Sequence, residues 1–375
     1  MSTFQQRLNP LISATSRGFF GVLASLFALA TSPPVHAQGC IASRGSSLTP
    51  CQYGEHLGEG EVLPPSSGFQ AQVGYRWLHS DSMFVHDVEQ TQLETHGGQE
   101  INDQHFIDVG LSYAFNSRVS VTLTLPFAVN DRSEPVYRSP TVIVDRFHTQ
   151  ASGFGDLRLE ANAWLLDPNK HMKGNILVGM GLSAPSGDRD VQDTFEAWDF
   201  RARRIATSQH AVDQSIQLGV GGWGMVVDLY AYQQILPRLN GFVNGSYTMT
   251  PEEKYTPTAS RDGDYSIPDS YLARGGLEFF VWPKHSLSVS LAGRVEGVPV
   301  HDLVGGSDGF RRPGYAVSIE PGVSLAIRSW SIMVNTPVAV YRNRQASVLE
   351  QAAGTEPVAA GFADLVVTCS ISKRF

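Results

Sequence analysis

Three features of the sequence specify an all-β fold, a transmembrane antiparallel up-and-down β-barrel of about 12 strands. Apolar and polar residues alternate at every second position through most of the chain. The connections between these segments run long and short in turn. Aromatic side chains collect at two levels, as the two interfaces of a bilayer require.

The N-terminal part reads separately. Residues 19–30, FFGVLASLFALA, form the one long apolar run, with Arg7 and Arg17 before it and Val35-His36-Ala37 after it. A basic start, a short apolar stretch and a small residue before the cut describe a secretory signal peptide over 1–37, cleaved after Ala37. Residues 38–66 are then a periplasmic N-terminal segment or a partial plug, and 67–375 the barrel. Export permits disulfides, and Cys40 and Cys51, flanking a short polar loop, are placed to pair. Cys369 lies far from both.

In the first strand Phe69, Val73, Tyr75 and Trp77 alternate with Gln70, Gln72, Gly74 and Arg76. In the next, Ile107, Val109, Leu111 and Tyr113 alternate with Asp108, Gly110 and Ser112. Later segments repeat the pattern, as in Leu287, Val289 and Leu291 against Ser288 and Ser290. Strands are expected to begin near 68, 104, 118, 154, 173, 217, 240, 269, 286, 314, 330 and 359, each about ten residues long, enough for a tilted strand to cross a bilayer. Short turns fall at 116–118, 167–170, 237–240, 283–285 and 328–329. Long polar loops are expected over 80–103, 129–152, 186–214, 251–267, 297–313 and 343–357. With both termini periplasmic, Tyr75, Trp77, Phe127, Tyr271, Tyr315 and Tyr341 belong to the outer girdle. Tyr113, Phe115, Phe279, Trp330 and Phe375 belong to the inner one.

The composition excludes other classes. Net charge is -8 and basic runs are absent, so nucleic acid is not the partner. One apolar run cannot make a polytopic helical protein. The expected partners are outer-membrane lipid and lipopolysaccharide, and the expected location is the bacterial outer membrane. The last strand, Leu365, Val367, Cys369 and Ile371 ending in Phe375, resembles the signal by which bacterial outer-membrane proteins engage the barrel-assembly machinery; Lys373 interrupts it.

Gly153-Phe154-Gly155-Asp156-Leu157, Leu182-Ser183-Ala184-Pro185-Ser186-Gly187-Asp188, Arg312-Pro313-Gly314 and Glu320-Pro321-Gly322 recur in this order. The order G-x-G-D-L, then L-x-x-P-[TS]-G, resembles outer-membrane channels related to those of meta-pathway phenol degradation clusters, over about residues 65–375. Ser186 stands where that pattern has Thr. The resemblance implies a barrel that carries small, hydrophobic or aromatic solutes passively, and it brings no catalytic residue.

Other motifs read as structure. Gly219-Val220-Gly221-Gly222-Trp223-Gly224 matches G-x-G-x-x-G but leads into a strand, where a dinucleotide site needs a helix. Ser370 and Lys373 match S-x-x-K yet face opposite sides of a strand. A lipid hydrolase would need a Ser–His pair on the outer wall, and His79 with Ser80 or Ser82 is the candidate. His79, His86, His96 and His105, interleaved with Asp81, Asp87, Glu89, Glu94 and Asp103, read as a solvated loop rather than a metal site. No catalytic, cofactor or metal residue is therefore expected, and no enzyme.

The inward positions are the informative surface. They include Arg76, Asp108, Asp156, Arg158, Glu160, Asp228, Arg274, Glu278, Arg294, Glu296, Glu320 and Asp364. These charges either pair across the barrel and fill it or line a wet channel. Arg274, Glu278, Arg294 and Glu296 lie on neighbouring strands, where cross-strand pairing is expected. A channel, or a non-transporting barrel that binds a partner through its outer loops, are the two functional expectations.

Overall fold

The computed structural model describes residues 67–283 and 286–375. The signal peptide, the 38–66 segment and the Cys40–Cys51 pairing lie outside the described residues. Fourteen strands form one closed antiparallel sheet of twelve staves. They are β1 (Gly68–Ser80), β2 (Ile101–Ala114), β3 (Val119–Ser139), β4 (Val142–Phe154), β5 (Leu157–Trp164), β6 (Gly174–Ala184) and β7 (Gly224–Leu236). There follow β8 (Leu239–Met249), β9 (Ser270–Trp282), β10 (Leu287–Val298), β11 (Gly314–Ile327), β12 (Trp330–Asn335), β13 (Val338–Arg344) and β14 (Leu365–Arg374). β4 and β5 form one stave broken at Gly155-Asp156, because β3 pairs first with β5 and then with β4. β12 and β13 form another, broken at Thr336-Pro337, both pairing with β11. β14 closes the ring on β1, from Gln70↔Arg374 to His79↔Leu365. Closure is what lipid demands, since each unpaired backbone group there costs several kcal/mol.

The two faces follow from period two. On β2 the outward Val109 is 52% exposed and the inward Asp108 only 3%. This is the inverse of a soluble protein: the apolar face meets lipid and the polar one is buried. Both girdles form. At one end Phe69 packs on Tyr113 at 4.7 Å between ring centres, and Tyr113 on Phe115 at 5.1 Å. At the other end Tyr247 stacks on Tyr271 and Tyr315 lies beside Tyr341, at 6.5 and 6.0 Å. Lys373, which breaks the apolar pattern of β14, places its ammonium 5.1 Å from the Trp330 ring and 4.9 Å from that of Phe375. The charge is thus held against two aromatic faces at the membrane interface.

Two expected loops are built differently. Residues 129–152 form a β-hairpin, since β3 runs for 21 residues and β4 pairs with its outer half. Within 186–214 a second hairpin pairs Gln192–Asp199 with Arg204–Ala211. The hairpins pack together through Val136, Phe147 and Phe195, with Phe147 and Phe195 5.6 Å apart. Strands expected near 217 and 359 begin at Gly224 and Leu365, because the residues before them leave the wall.

Candidate functional site in the plugged lumen

Inside the barrel, charge is arranged in two layers. In the mid-barrel layer Glu320 of β11 accepts from Arg274 of β9 at 2.5 Å and from Arg294 of β10 at 3.2 Å. Arg294 also pairs with Glu296 at 2.7 Å. Arg274 and Arg294 are register partners, so Glu320 is what makes two adjacent guanidinium groups tolerable. Glu278 stands apart from these pairs and accepts the hydroxyls of Ser288 and Ser324. Arg76 lies over the Phe106 ring at 4.6 Å and within electrostatic range of Asp108, Arg158, Arg294 and Glu296. Side chains from β1, β2, β5 and β10 therefore lie within electrostatic range of one another at this level. Gly179 and Gly181 of β6 make room beside them, because an added Cβ would press on Asn162 or Glu160 at 2.4–2.5 Å. Glu160 and Asp228 face each other over these glycines, with Arg158 in range of both. Tyr230, Phe242, Arg274, Glu278, Ser324 and Asn335 border a cavity of ≈ 50 Å³, room for a few waters.

The outer layer is a plug. Residues 211–222 turn into the barrel, and Val212, Asp213, Gln214, Ser215, Ile216 and Gln217 are all at most 4% exposed. The wall grips their backbone: Gln104 Nε2 donates to the Ser215 carbonyl at 3.3 Å and Asn130 Nδ2 to that of Ile216 at 3.0 Å. Loop residues grip it from above, with Tyr265 donating to the Val212 carbonyl and Gln214 to that of Ser266. Ile216 and Val212 pack on Ala151 of β4. At the centre Asp213 pairs with Arg312 at 3.2 Å and lies 3.8 Å from Arg132, which also holds Glu100 and Glu134. All five of these charged groups are at most 5% exposed. Burying so many charges is tolerated because each has an opposite partner.

The four motifs of the resemblance converge on this plug and the layer beneath it. Asp156, at the break between β4 and β5, accepts Gly187 N–H at 2.9 Å and Val220 N–H at 2.7 Å. Ser186 accepts Leu157 N–H and donates to the Gly155 carbonyl, satisfying groups that the broken stave leaves without ladder partners. Ser does here what the expected Thr hydroxyl would do. Gly155, Gly187 and Gly219 meet backbone to backbone, where a Cβ on Gly187 would lie 2.8 Å from Gly219 Cα and 3.0 Å from Gly155 C. Arg312 is the plug's partner and Glu320 the keystone of the mid-barrel layer. Gly187→Ala is accordingly expected to push the plug off the wall at a cost of about 1–3 kcal/mol. Limited proteolysis should cut within 185–223 faster in that variant, while the folded barrel persists.

The other sequence candidates are placed as follows. Asp364 lies at the outer rim, away from the mid-barrel layer, bound to Arg342 at 2.5 Å and to the N–H groups of Asp81 and Ser82. Ser80 is fully buried on the inner face, while His79 points outward to Asp103 at 3.3 Å, so these two cannot form a nucleophile–base pair. His105 shares Asp103 with His79, but His86 pairs with Glu356. Among the described residues, no three His, Cys, Asp or Glu side chains converge as metal ligands. The G-x-G-x-x-G run ends in β7, a strand, and Ser370 is buried on β14 as one of its inward positions.

Above the plug, burial pushes the Asp262 carboxyl up to about 7, with nearby Asp213 adding to the effect and Arg261 opposing it. A carboxyl that is raised in the folded state holds its proton there. Its stabilising contribution is complete below the ordinary carboxylate range and is lost as pH rises from about 4 to about 7. The loop around Asp262 should therefore become more protease-sensitive over that interval, and Asp262→Asn should flatten the dependence.

No protein-family model matches the sequence, and no curated protein is detectably similar to it. Solved structures do resemble it. An outer membrane channel from Pseudomonas putida F1 superposes with a TM-score of 0.51 at 11% identity, covering 83% of this chain and 96% of that one. The translocator domain of the autotransporter NalP from Neisseria meningitidis gives 0.48 at 11% identity, covering 92% and 100%. The P. putida toluene transporter TodX gives 0.41 at 10% identity, covering 85% and 93%. The first shares the fold of this chain. Fold, faces and closure together define a transmembrane β-barrel with a plugged lumen.

Proposed function

We propose that the chain is an outer-membrane channel for passive passage of small solutes, and that the arrangement described is its closed state. The observation that carries this reading is the plug. It is a chain segment held by side-chain hydrogen bonds and ion pairs, seated on a wall that is polar and charged beside and beneath it, with the cluster of Trp164, Leu177, Tyr230 and Tyr232 toward the inner end. A barrel built only for stability gains nothing from this, because well-packed apolar residues replace buried ion pairs at no cost or with a gain. Water-filled passage needs the polar wall, and a plug that is not part of any stave can leave it. The solute class, hydrophobic or aromatic compounds, is supported by the resemblance in the Gly-Asp-Leu and Pro-Ser-Gly motifs. Of the twelve inward charges named from sequence, eight are acidic and four are arginines, so the open path should favour cations. Arg294→Glu should raise cation selectivity in a conducting barrel; unchanged reversal potentials would remove Arg294 from the path.

A second reading has one observation in its favour. Both charge layers are internally paired, as in a barrel whose lumen is filled for good and whose outer hairpins serve a partner. Conductance separates the two readings, because a permanently filled barrel stays silent after the plug is removed.

A further inference from the structure

Between the outer ends of β6 and β7 and the segment after β8 lies a groove of ≈ 470 Å³. Its volume falls within the usual range for small-molecule sites. Its wall carries Asp188, Arg189, Gly221, Trp223 and Glu252. Trp223 is 53% exposed although it stands next to the buried plug.

The charges of the groove are unequal in availability. Arg189 is already engaged: its guanidinium lies 5.0 Å from the Tyr255 ring centre and donates to the Gly221 carbonyl at 2.5 Å. Tyr255 OH donates back to the Arg189 carbonyl at 2.9 Å. Among the described residues, Asp188 and Glu252 accept only backbone N–H groups, from Asp190 at 2.9 Å and Trp223 at 3.5 Å, and neither carboxylate pairs with a cationic side chain. Gly221 and Gly222 bring the backbone close to Tyr255 and Glu252, since a Cβ at either would lie within 2.9 Å of those side chains. An exposed indole and two carboxylates lining one groove, with Arg189 turned to the Tyr255 ring, supply the chemistry that recognises an organic cation.

We propose that this groove binds small organic cations, of the alkyl- or arylammonium class, at the outer entrance of the barrel. The inference deepens the channel reading by naming a solute class, and it agrees with the acid excess of the lumen. It also places the ligand against the plug, because Gly219 N–H bonds the Asp188 carbonyl at 2.8 Å.

The test is calorimetric titration of the folded, detergent-solubilised barrel with benzyltrimethylammonium and with its neutral isostere, neopentylbenzene, delivered in the same detergent. The cation should bind at least tenfold more tightly than the isostere. Trp223→Ala and Glu252→Gln should each weaken the cation at least fivefold, and added salt should weaken it further. Equal binding of cation and isostere, or binding unchanged in both variants, overturns the proposal. Failure here and failure of the channel reading are distinguishable: a barrel that conducts after plug removal yet ignores the cation defeats only the groove. A barrel that binds the cation and never conducts defeats only the channel.

Discussion

Asp213→Ala should unfasten the plug while leaving the barrel intact. The substitution leaves Arg312 without its 3.2 Å carboxylate partner and removes one of the three acids around Arg132. Removing one member of a buried ion pair costs about 3–5 kcal/mol, mostly because the remaining charge is left desolvated. That cost falls on the plug, since the staves have their own backbone ladder. Backbone amides of 211–222 should exchange with solvent roughly a hundredfold faster or more, while those of β1, β2 and β14 keep wild-type protection. Asp213→Asn retains the shape and should lie between the two. Wild-type exchange in the Ala variant would mean that the plug is held by its hydrogen bonds to Gln104, Asn130, Tyr265 and Ser266 and its packing on Ala151, without need of the ion pair.

Glu320→Ala should have the opposite signature, a loss of global stability with no preferential loosening of the plug. Glu320 sits at 2% exposure between Arg274 and Arg294. Without it two register-paired guanidinium groups face each other inside the barrel, with Glu296 left to hold one of them. A destabilisation of about 3–5 kcal/mol is expected from the broken pair. Denaturant unfolding of the detergent-solubilised barrel would read it as a lowered midpoint at constant slope. Glu320→Gln keeps one acceptor oxygen and should recover part of the loss. A double replacement of Arg274 and Glu320 by apolar residues should recover most of it, since the pair then disappears as a whole.

The membrane-spanning staves were legible in the sequence because lipid imposes period two on them. Ile107, Val109 and Leu111 must face outward, and Asp108 cannot. Above the bilayer that constraint vanishes. In β3 both the inward Asn130 and Arg132 and the outward Asp131 are polar, so the alternation fades and 129–152 reads as a loop although the strand continues. The same period singled out the charges at alternate positions, and their partners only in part. Glu320 is the single charged residue of β11, so nothing in its own strand announces its role, and it acts on β9 and β10. The plug was not legible at all. Residues 211–222 have no period, and their partners Gln104, Asn130 and Arg312 lie 86–111 residues away. The signal that pointed nearest was the glycine-rich run beginning at Gly219. Its glycines are required by the close approach to Gly187 and Tyr255, not by a phosphate.

In the proposed channel a plug closes a path that is otherwise wet. Single-channel recording in a planar bilayer, comparing the mature chain with a folded variant in which residues 212–218 are replaced by a short glycine-serine link, tests it most directly. The barrel should be silent or open only briefly with the plug, and should give discrete, sustained, cation-favouring steps without it. A variant that folds, inserts and stays silent would mean that the barrel is filled for good and is not a channel.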